Sequence, residues 1–282
     1  MTVPDRLRGV DGGRMSSLAD YEIVELLCEG NNGHFYLARP PARLRLEVEF
    51  VVLKVFVGRV AEHAYERGVR ELRAFAGVRS PYLVRIFDAV LDDRFAYAME
   101  YLPLGSLAAP ARELERAGVL AALEHAARAA HDLHEAGIAH GDIKPANILL
   151  ADGSEGQVAG RLSDLGLARL LAPGNTLTGM GRANSVEYTD PELLAGARPS
   201  RRTEVWSLGA TIHRALTGVG FYGELPDHQP LLAIRSVLSR RPRLHDGLEP
   251  DAARLIGDCI AHGNARIDTA GEAAVRLAGI KR

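Results

Sequence analysis

Up to Tyr101 the apolar and polar residues alternate or run together in short stretches, whereas beyond it apolar residues recur at helical spacing. Tyr21 to Cys28 reads as a strand, Glu29 to Gly33 as a Gly/Asn turn, and His34 to Arg39 as a second strand. After Pro40-Pro41, the alternation of Glu47 to Val57 passes into a continuous apolar run that ends a third strand. Ala61 to Ala76 has helical character, with Glu71 and Phe75 four apart on one face. Tyr82 to Leu91 and Phe95 to Tyr101 are strand-like, joined by an Asp92-Asp93-Arg94 turn.

Past Tyr101, Gly105-Ser106 opens a helical region. Val119 to Glu135 is alanine-rich, with Leu120, Leu123, Ala127, Ala130 and His134 on one stripe. Short strands are expected around Ile148 to Leu150 and Arg161 to Ser163, on either side of the polar loop Asp152 to Gln157. Beyond Pro191, helical stretches alternate with Gly/Pro breaks. The predicted fold class is α+β with two lobes: a small antiparallel β-rich lobe with one helix over residues 21–101, and a larger, mainly α lobe over 105–277. Residues 1–20 are expected to form a flexible leader, and a cleft between the lobes is the expected ligand site.

Composition narrows the function without naming it. A chain of 282 residues, 47% hydrophobic and 25% charged, is that of an ordinary globular protein with a substantial core. A formal charge of −2 gives no basic excess for nucleic acid or a membrane surface. The local clusters Arg198, Arg201, Arg202 and Arg240, Arg241, Arg243 read as solvated faces and helix ends. Cys28 and Cys259, far apart, supply neither a disulfide framework nor metal-ligand spacing, which suits a reducing compartment. Met1 to Asp20 lacks the apolar core of a signal peptide, and no run approaches the ~20 apolar residues of a spanning helix. The expectation is a cytoplasmic protein with no nucleic-acid or membrane partner. The abundance of Ala, Gly and Arg suggests a GC-rich bacterial genome.

The chemistry shows in which cations the chain retains. Of 34 Lys plus Arg, only Lys54, Lys144 and Lys281 are lysine, and Lys281 lies next to the C-terminus. Two internal positions therefore keep a compact ammonium where a planar guanidinium is otherwise the default. Lys54 ends the apolar run Val51-Val52-Leu53, and Lys144 lies in His140-Gly141-Asp142-Ile143-Lys144-Pro145-Ala146-Asn147. Phosphoryl transfer needs phosphates held, metal placed, an acceptor hydroxyl oriented and negative charge offset. Gly30 and Gly33, in a hairpin turn, let backbone N–H groups approach phosphate oxygens. Lys54 can reach phosphate and Glu71 can pair with it. Asp142 supplies a base or hydroxyl-orienting carboxylate, Lys144 a cation and Asn147 an amide ligand for metal. Asp164, seventeen residues on, is a carboxylate in a turn suited to Mg²⁺.

In that order and spacing the chain resembles a eukaryotic-type (Hanks-type) serine/threonine protein kinase of the bacterial sort, over roughly Tyr21 to Leu277. The resemblance rests on the glycine loop Leu27 to Gly33, Lys54, Glu71, the catalytic loop His140 to Asn147, Asp164-Leu165-Gly166, Asp190-Pro191-Glu192 and Glu204 to Gly209. It implies ATP as cofactor with Mg²⁺, or Mn²⁺ in its place, held by Asn147 and Asp164. Met99 would be the gatekeeper, and Glu100 and Leu102 the hinge that binds adenine through its backbone. Asp142, Lys144 and Asn147 would be the catalytic set, and Arg266 the partner of Glu192. Lys144 together with Ser185 implies a protein substrate with a Ser or Thr acceptor. Regulation is expected from a separate protein.

Four departures matter: Cys28 for the first loop glycine, Leu165 for phenylalanine, Glu204 for aspartate, and Gly141 for the arginine that normally neutralises a phosphorylated activation segment. The last implies activity that does not depend on phosphorylation of Thr176 or Thr178, which with Ser185 are the candidate self-modified sites. Two other readings compete with a protein kinase. A small-molecule kinase of the aminoglycoside type shares a His-Gly-Asp loop but not Lys144-Pro145 or Trp206-Ser207-Leu208-Gly209. A pseudokinase binding module is hinted at only by Cys28, Leu165 and Gly141.

Overall fold

The run Val51–Phe56 lacks the alternation of a half-buried strand because both its faces are covered. In the computed structural model, which describes residues 17–30, 33–56, 69, 72–91, 94–153, 156–164, 183–226 and 229–281, it is buried at every position inside a six-stranded antiparallel sheet. The strands are β1 (Ser17–Leu18), β2 (Tyr21–Gly30), β3 (Gly33–Arg39), β4 (Val51–Phe56), β5 (Ile86–Leu91) and β6 (Phe95–Glu100), in the order β1-β2-β3-β4-β6-β5. Period-two alternation sends Val51, Leu53 and Val55 into a core with Tyr21, Ala38, Ala96 and Ala98. Lys54 consequently points to the opposite face. Leu44 and Leu46, from a 3₁₀ turn (Ala42–Leu44) and the segment after it, pack against the core. Arg43 there bonds Asp20 at 2.6 Å and Asp88 at 2.5 Å, and Tyr21 donates its hydroxyl to Asp88 at 2.7 Å.

The chain divides into two compact units, one drawn from Met1–Ala61 and Arg85–Tyr101 and holding this sheet, the other from Glu62–Val84 and Leu102–Arg282. Ser17–Leu18 pairs with Tyr21 and Glu22, and Leu18 is buried, so regular structure reaches back into the expected leader. The strand expected from Tyr82 begins only at Ile86. Tyr82 and Val84 instead bond Leu162 in the second unit, at 2.8 and 3.0 Å, because Leu83 and Val84 are buried there. Of the helix expected over Ala61 to Ala76, residues 69 and 72–76 are described and are helical.

The second unit is mainly helical: α1 (Arg116–Glu135), α2 (Pro191–Leu194), α3 (Arg201–Thr217), α4 (Pro230–Ser239), α5 (Pro250–Ile260) and α6 (Ala270–Gly279). It also carries a small antiparallel sheet of β7 (Gly105–Ser106), β8 (Ala109–Pro110), β9 (Ile148–Asp152) and β10 (Val158–Leu162), ordered β10-β9-β7-β8. Gly105-Ser106 is thus not the start of a helix. The Ser106 hydroxyl accepts from Ala109 N at 3.2 Å and closes a hairpin instead. In α1 the small residues Ala122, Ala126, Ala129 and Ala130 are fully buried, so neighbours approach its backbone on several sides. A reciprocal capping box between Ser200 and Thr203 starts α3. No helix among the described residues is long and apolar enough to cross a membrane.

Candidate active site

Glu204 lies in the first turn of α3, where the capping box fixes the helix start and the N-terminal dipole favours a carboxylate. It is almost fully buried and acts as a hub. Its carboxylate accepts from His134 Nε2 at 2.7 Å, from His140 N at 3.0 Å, and from Gly141 N. Burial opposes its ionisation, but these donors, His134 foremost, outweigh it and hold the carboxyl below the usual range. The extra methylene relative to aspartate thus does not cost Glu204 its grip on the loop backbone.

Gly141 adopts φ +82°, a left-handed conformation, and a Cβ built on it meets nothing within 4 Å. The requirement for glycine is therefore backbone geometry and not space. Next to it, burial keeps His140 neutral by pushing its pKa down. Its Nδ1 accepts from Asp142 N at 3.3 Å, so Nε2 carries the proton and donates to Ser163 O at 2.9 Å.

Asp142 is surrounded by donors. Lys144 Nζ lies 2.6 Å from its Oδ2, and Asn147 Nδ2 donates to the same oxygen at 2.9 Å and to the Asp142 carbonyl at 2.7 Å. Burial resists the charge, yet the Lys144 ammonium and the Asn147 amide hold the carboxyl below its ordinary value. It is an anion at neutral pH. Ser163 donates both N–H and hydroxyl to Asn147 O, at 2.8 and 3.1 Å, tying the end of β10 to this loop immediately before Asp164. Asp164 itself has φ +63°, a left-handed conformation that costs a non-glycine residue about 1–2 kcal/mol. Strain of that kind is retained where the surrounding structure holds a side chain for use.

These residues fit a divalent cation. The acceptors facing Asn147 fix its amide with nitrogen toward Asp142, which leaves Oδ1 as an oxygen donor. Oδ1 and the Asp164 carboxylate are hard ligands of the type Mg²⁺ takes, and their small number matches an ion that keeps waters and phosphate oxygens in its shell. No cluster of three His, Cys, Asp or Glu able to hold a metal exists among the described residues.

The sheet unit carries the other expected positions. Gly30 pairs with Gly33 across β2 and β3, and a Cβ on Gly33 would come within 2.4 Å of Val55 O, so only glycine fits against β4. Lys54 is 3% exposed, with Nζ 5.0 Å from the Phe56 ring centre and 5.2 Å from that of Phe35. Glu100 ends β6, with its N–H bonded to Arg85 O at 2.9 Å and its carboxylate to Arg85 N at 2.8 Å. Leu102, the first residue after the break between the units, is half-buried. Glu71, Leu165, Thr176 and Thr178 lie outside the described residues, as does the side chain of Ser185. Asp142, Lys144, Asn147 and Asp164 thus form one connected set within the helical unit.

Two residues were missed by sequence reasoning. His134 counted only as part of a buried stripe, although a histidine among alanines signals a buried polar partner. Asp190, not Glu192, is the main partner of Arg266: they are 2.5 Å apart and each is 1% exposed, while Glu192 is half-exposed at 3.6 Å. Burial pushes the Asp190 carboxyl up, against the Glu192 N–H and Arg266.

A family model described as "Protein kinase domain" matches residues 21–266. The serine/threonine-protein kinase PknJ of Mycobacterium tuberculosis is 34% identical over 209 residues, 72% of this chain and 35% of the relative. PknK of the same species is 31% identical over 273 residues, 94% of this chain and 24% of the relative. Aurora kinase B of Danio rerio is 27% identical over 223 residues, 76% and 66% of the two chains. The chain therefore spans about a third or less of the length of the two mycobacterial proteins.

Proposed function

Since the chain belongs to the protein kinase family, in its serine/threonine class, we propose that it transfers the γ-phosphate of ATP to Ser or Thr hydroxyls of a protein substrate. The observation that carries this reading is the ionised Asp142 carboxylate, held 2.6 Å from Lys144 and fastened by Asn147 on a loop bonded to Glu204. An anion so placed accepts the hydrogen bond of an acceptor hydroxyl and orients its oxygen for attack; as that oxygen bonds to the γ-phosphorus and the bond to the β,γ-bridging oxygen breaks to release ADP, Asp142 is positioned to take the proton. Lys144 offsets the charge of the phosphoryl group in transit. Mg²⁺ at Asn147 Oδ1 and Asp164 would supply charge neutralisation of the phosphates. Gly30 and Gly33 offer backbone N–H groups to phosphate, Lys54 and Glu71 a cation and its partner, and Glu100 and Leu102 the adenine contacts.

Gly141 stands where an arginine would meet a phosphorylated activation segment, and the loop's one cation, Lys144, is engaged with Asp142, so the enzyme is of the non-RD type and active without that modification. A cytoplasmic location is supported by Cys28 and Cys259, of which the first is exposed and the second buried, with no disulfide between them. Labelled ATP with Mg²⁺ and a generic basic protein tests the reading. Wild type is expected to label the protein and itself, and Asp142→Asn to abolish transfer while leaving the circular dichroism unchanged. Label on an aminoglycoside but not on protein, or no loss with Asp142→Asn, would refute it.

A further inference from the structure

Strands β1 and β2 form a hairpin with one very short arm. Leu18 pairs with Tyr21 and Ser17 with Glu22, across a two-residue turn at Ala19-Asp20. Ala19 takes φ +49°, the positive value that the first central residue of such a turn requires. The turn is fastened to the rest of the sheet unit. Arg43 bonds Asp20 at 2.6 and 3.1 Å, Tyr21 donates to Asp88 at 2.7 Å, and Leu18 is buried in the core. These anchors set the direction in which the first arm leaves the turn, back along β2.

The second arm is ten residues long, and on the side of β1 no described strand pairs with it beyond Glu22. Residues 24–29 are exposed at every position. Val24, Leu26 and Leu27 are three of the five large apolar side chains exposed among the described residues of the sheet unit. An open edge of backbone N–H and C=O groups beside apolar side chains is a template for another strand. Against β3, however, β2 carries two irregularities, one between Ile23 and Glu25 and one between Leu26 and Cys28. Bulges twist an edge and spoil it for the long, flat pairing that a foreign strand or a second copy needs. A segment tethered through the turn escapes that restriction, because its register is already fixed and its effective concentration is high.

We propose that residues 14–16 extend β1 along the open edge of β2 as a strap. Counting back from Ser17 in the register of β1 sets Ser16 opposite Ile23, Met15 opposite Val24 and Arg14 opposite Glu25. The match is chemical as well as geometric: a thioether meets an exposed valine, and a guanidinium an exposed carboxylate. Gly12-Gly13 comes before them and ends the extension, since glycine weakens a strand interior. All these strap residues belong to the expected flexible leader and lie outside the described residues. Because β2 runs directly into the turn between Gly30 and Gly33, a strap on its outer edge steadies the strand from which that turn springs.

Amide hydrogen exchange, read by mass spectrometry on peptides covering β2, tests the proposal. No nucleotide or substrate is added, so the outcome is independent of the catalytic reading. The β2 amides of the full chain are expected to exchange at least about tenfold more slowly than those of a variant lacking residues 1–16. R14E and E25R should each speed that exchange about two- to fivefold in the full chain, and R14E/E25R should recover most of the loss. Circular dichroism and unchanged exchange in β4 show that each variant is folded. Equal β2 exchange with and without residues 1–16 overturns the proposal, as does a double variant no better protected than the single ones. Protection that rises with protein concentration assigns the edge to a second copy and equally overturns it.

Discussion

Substituting Gly141 isolates the energy of one backbone conformation next to Asp142, the carboxylate proposed to act in phosphoryl transfer. Its φ is +82° and a Cβ would touch nothing within 4 Å, so alanine adds strain without a clash. The left-handed penalty for a side chain is about 1–2 kcal/mol. Against it, alanine restricts the unfolded chain and recovers about 0.4–1 kcal/mol. The net expectation for Gly141→Ala is a loss of roughly 1 kcal/mol, read as a lower urea midpoint at constant slope. Asparagine tolerates the left-handed region better, so Gly141→Asn should fall between glycine and alanine, and Gly141→Val below both. Gly137, at φ +75° and also without neighbours, is the matched control. Its alanine variant should lose similar stability. Only Gly141 donates its N–H to Glu204 and precedes Asp142, so only Gly141→Ala should also lower kcat for phosphoryl transfer. The reasoning fails if Gly141→Ala is as stable as wild type, if asparagine is no better than alanine, or if the Gly137 variant slows turnover equally.

Other outcomes follow from single sites. Asp190→Asn strands the buried Arg266 charge and should cost about 3–5 kcal/mol, whereas Glu192→Gln, at a half-exposed carboxylate, should cost under about 1 kcal/mol; equal losses in chemical denaturation would contradict the assignment. His213 is buried, and burial lowers its pKa to about 4. The folded chain therefore binds fewer protons there than the unfolded one between about pH 6.5 and 4, and stability present above pH 6.5 falls through that window by about 3 kcal/mol. His213→Leu should flatten the melting temperature across those pH values, and an unchanged slope would exclude His213 as the source. Thr176→Ala with Thr178→Ala should leave the rate of substrate phosphorylation within about twofold, and a collapse would show that another cation takes the place of the missing arginine.

The sheet and the clustering of polar side chains in the loop His140 to Asn147 were legible because their signals are local. Val51–Phe56 is apolar except for Lys54, and Asp142, Lys144 and Asn147 lie within one turn-rich loop and bond one another inside it. What escaped depends on pairing across long separations. Asp190 and Arg266 are 76 residues apart, and nothing in Asp190-Pro191-Glu192 says which carboxylate meets the guanidinium. His134 and Glu204 are 70 apart. Gly105-Ser106 reads as a helix start because a serine hydroxyl can cap either a helix or a turn, and only the strand partners β8 and β9 decide. Tyr82–Val84 reads as strand because its residues favour extended backbone, but its hydrogen bonds go to Leu162, far along the chain in the same helical unit, and not to β6.

Scarce lysine gives the burial of Lys54 a chemical meaning. An acylating reagent meets few amines on this molecule: exposed Lys281, Lys144 with a side chain 16% exposed, Lys54 at 3%, and the amino terminus. The ammonium set between Phe35 and Phe56 should be the last of the lysines to react, and its modification would register opening of the sheet around it. In most proteins such a signal is lost among dozens of labelled side chains; here it would stand almost alone in a mass spectrum.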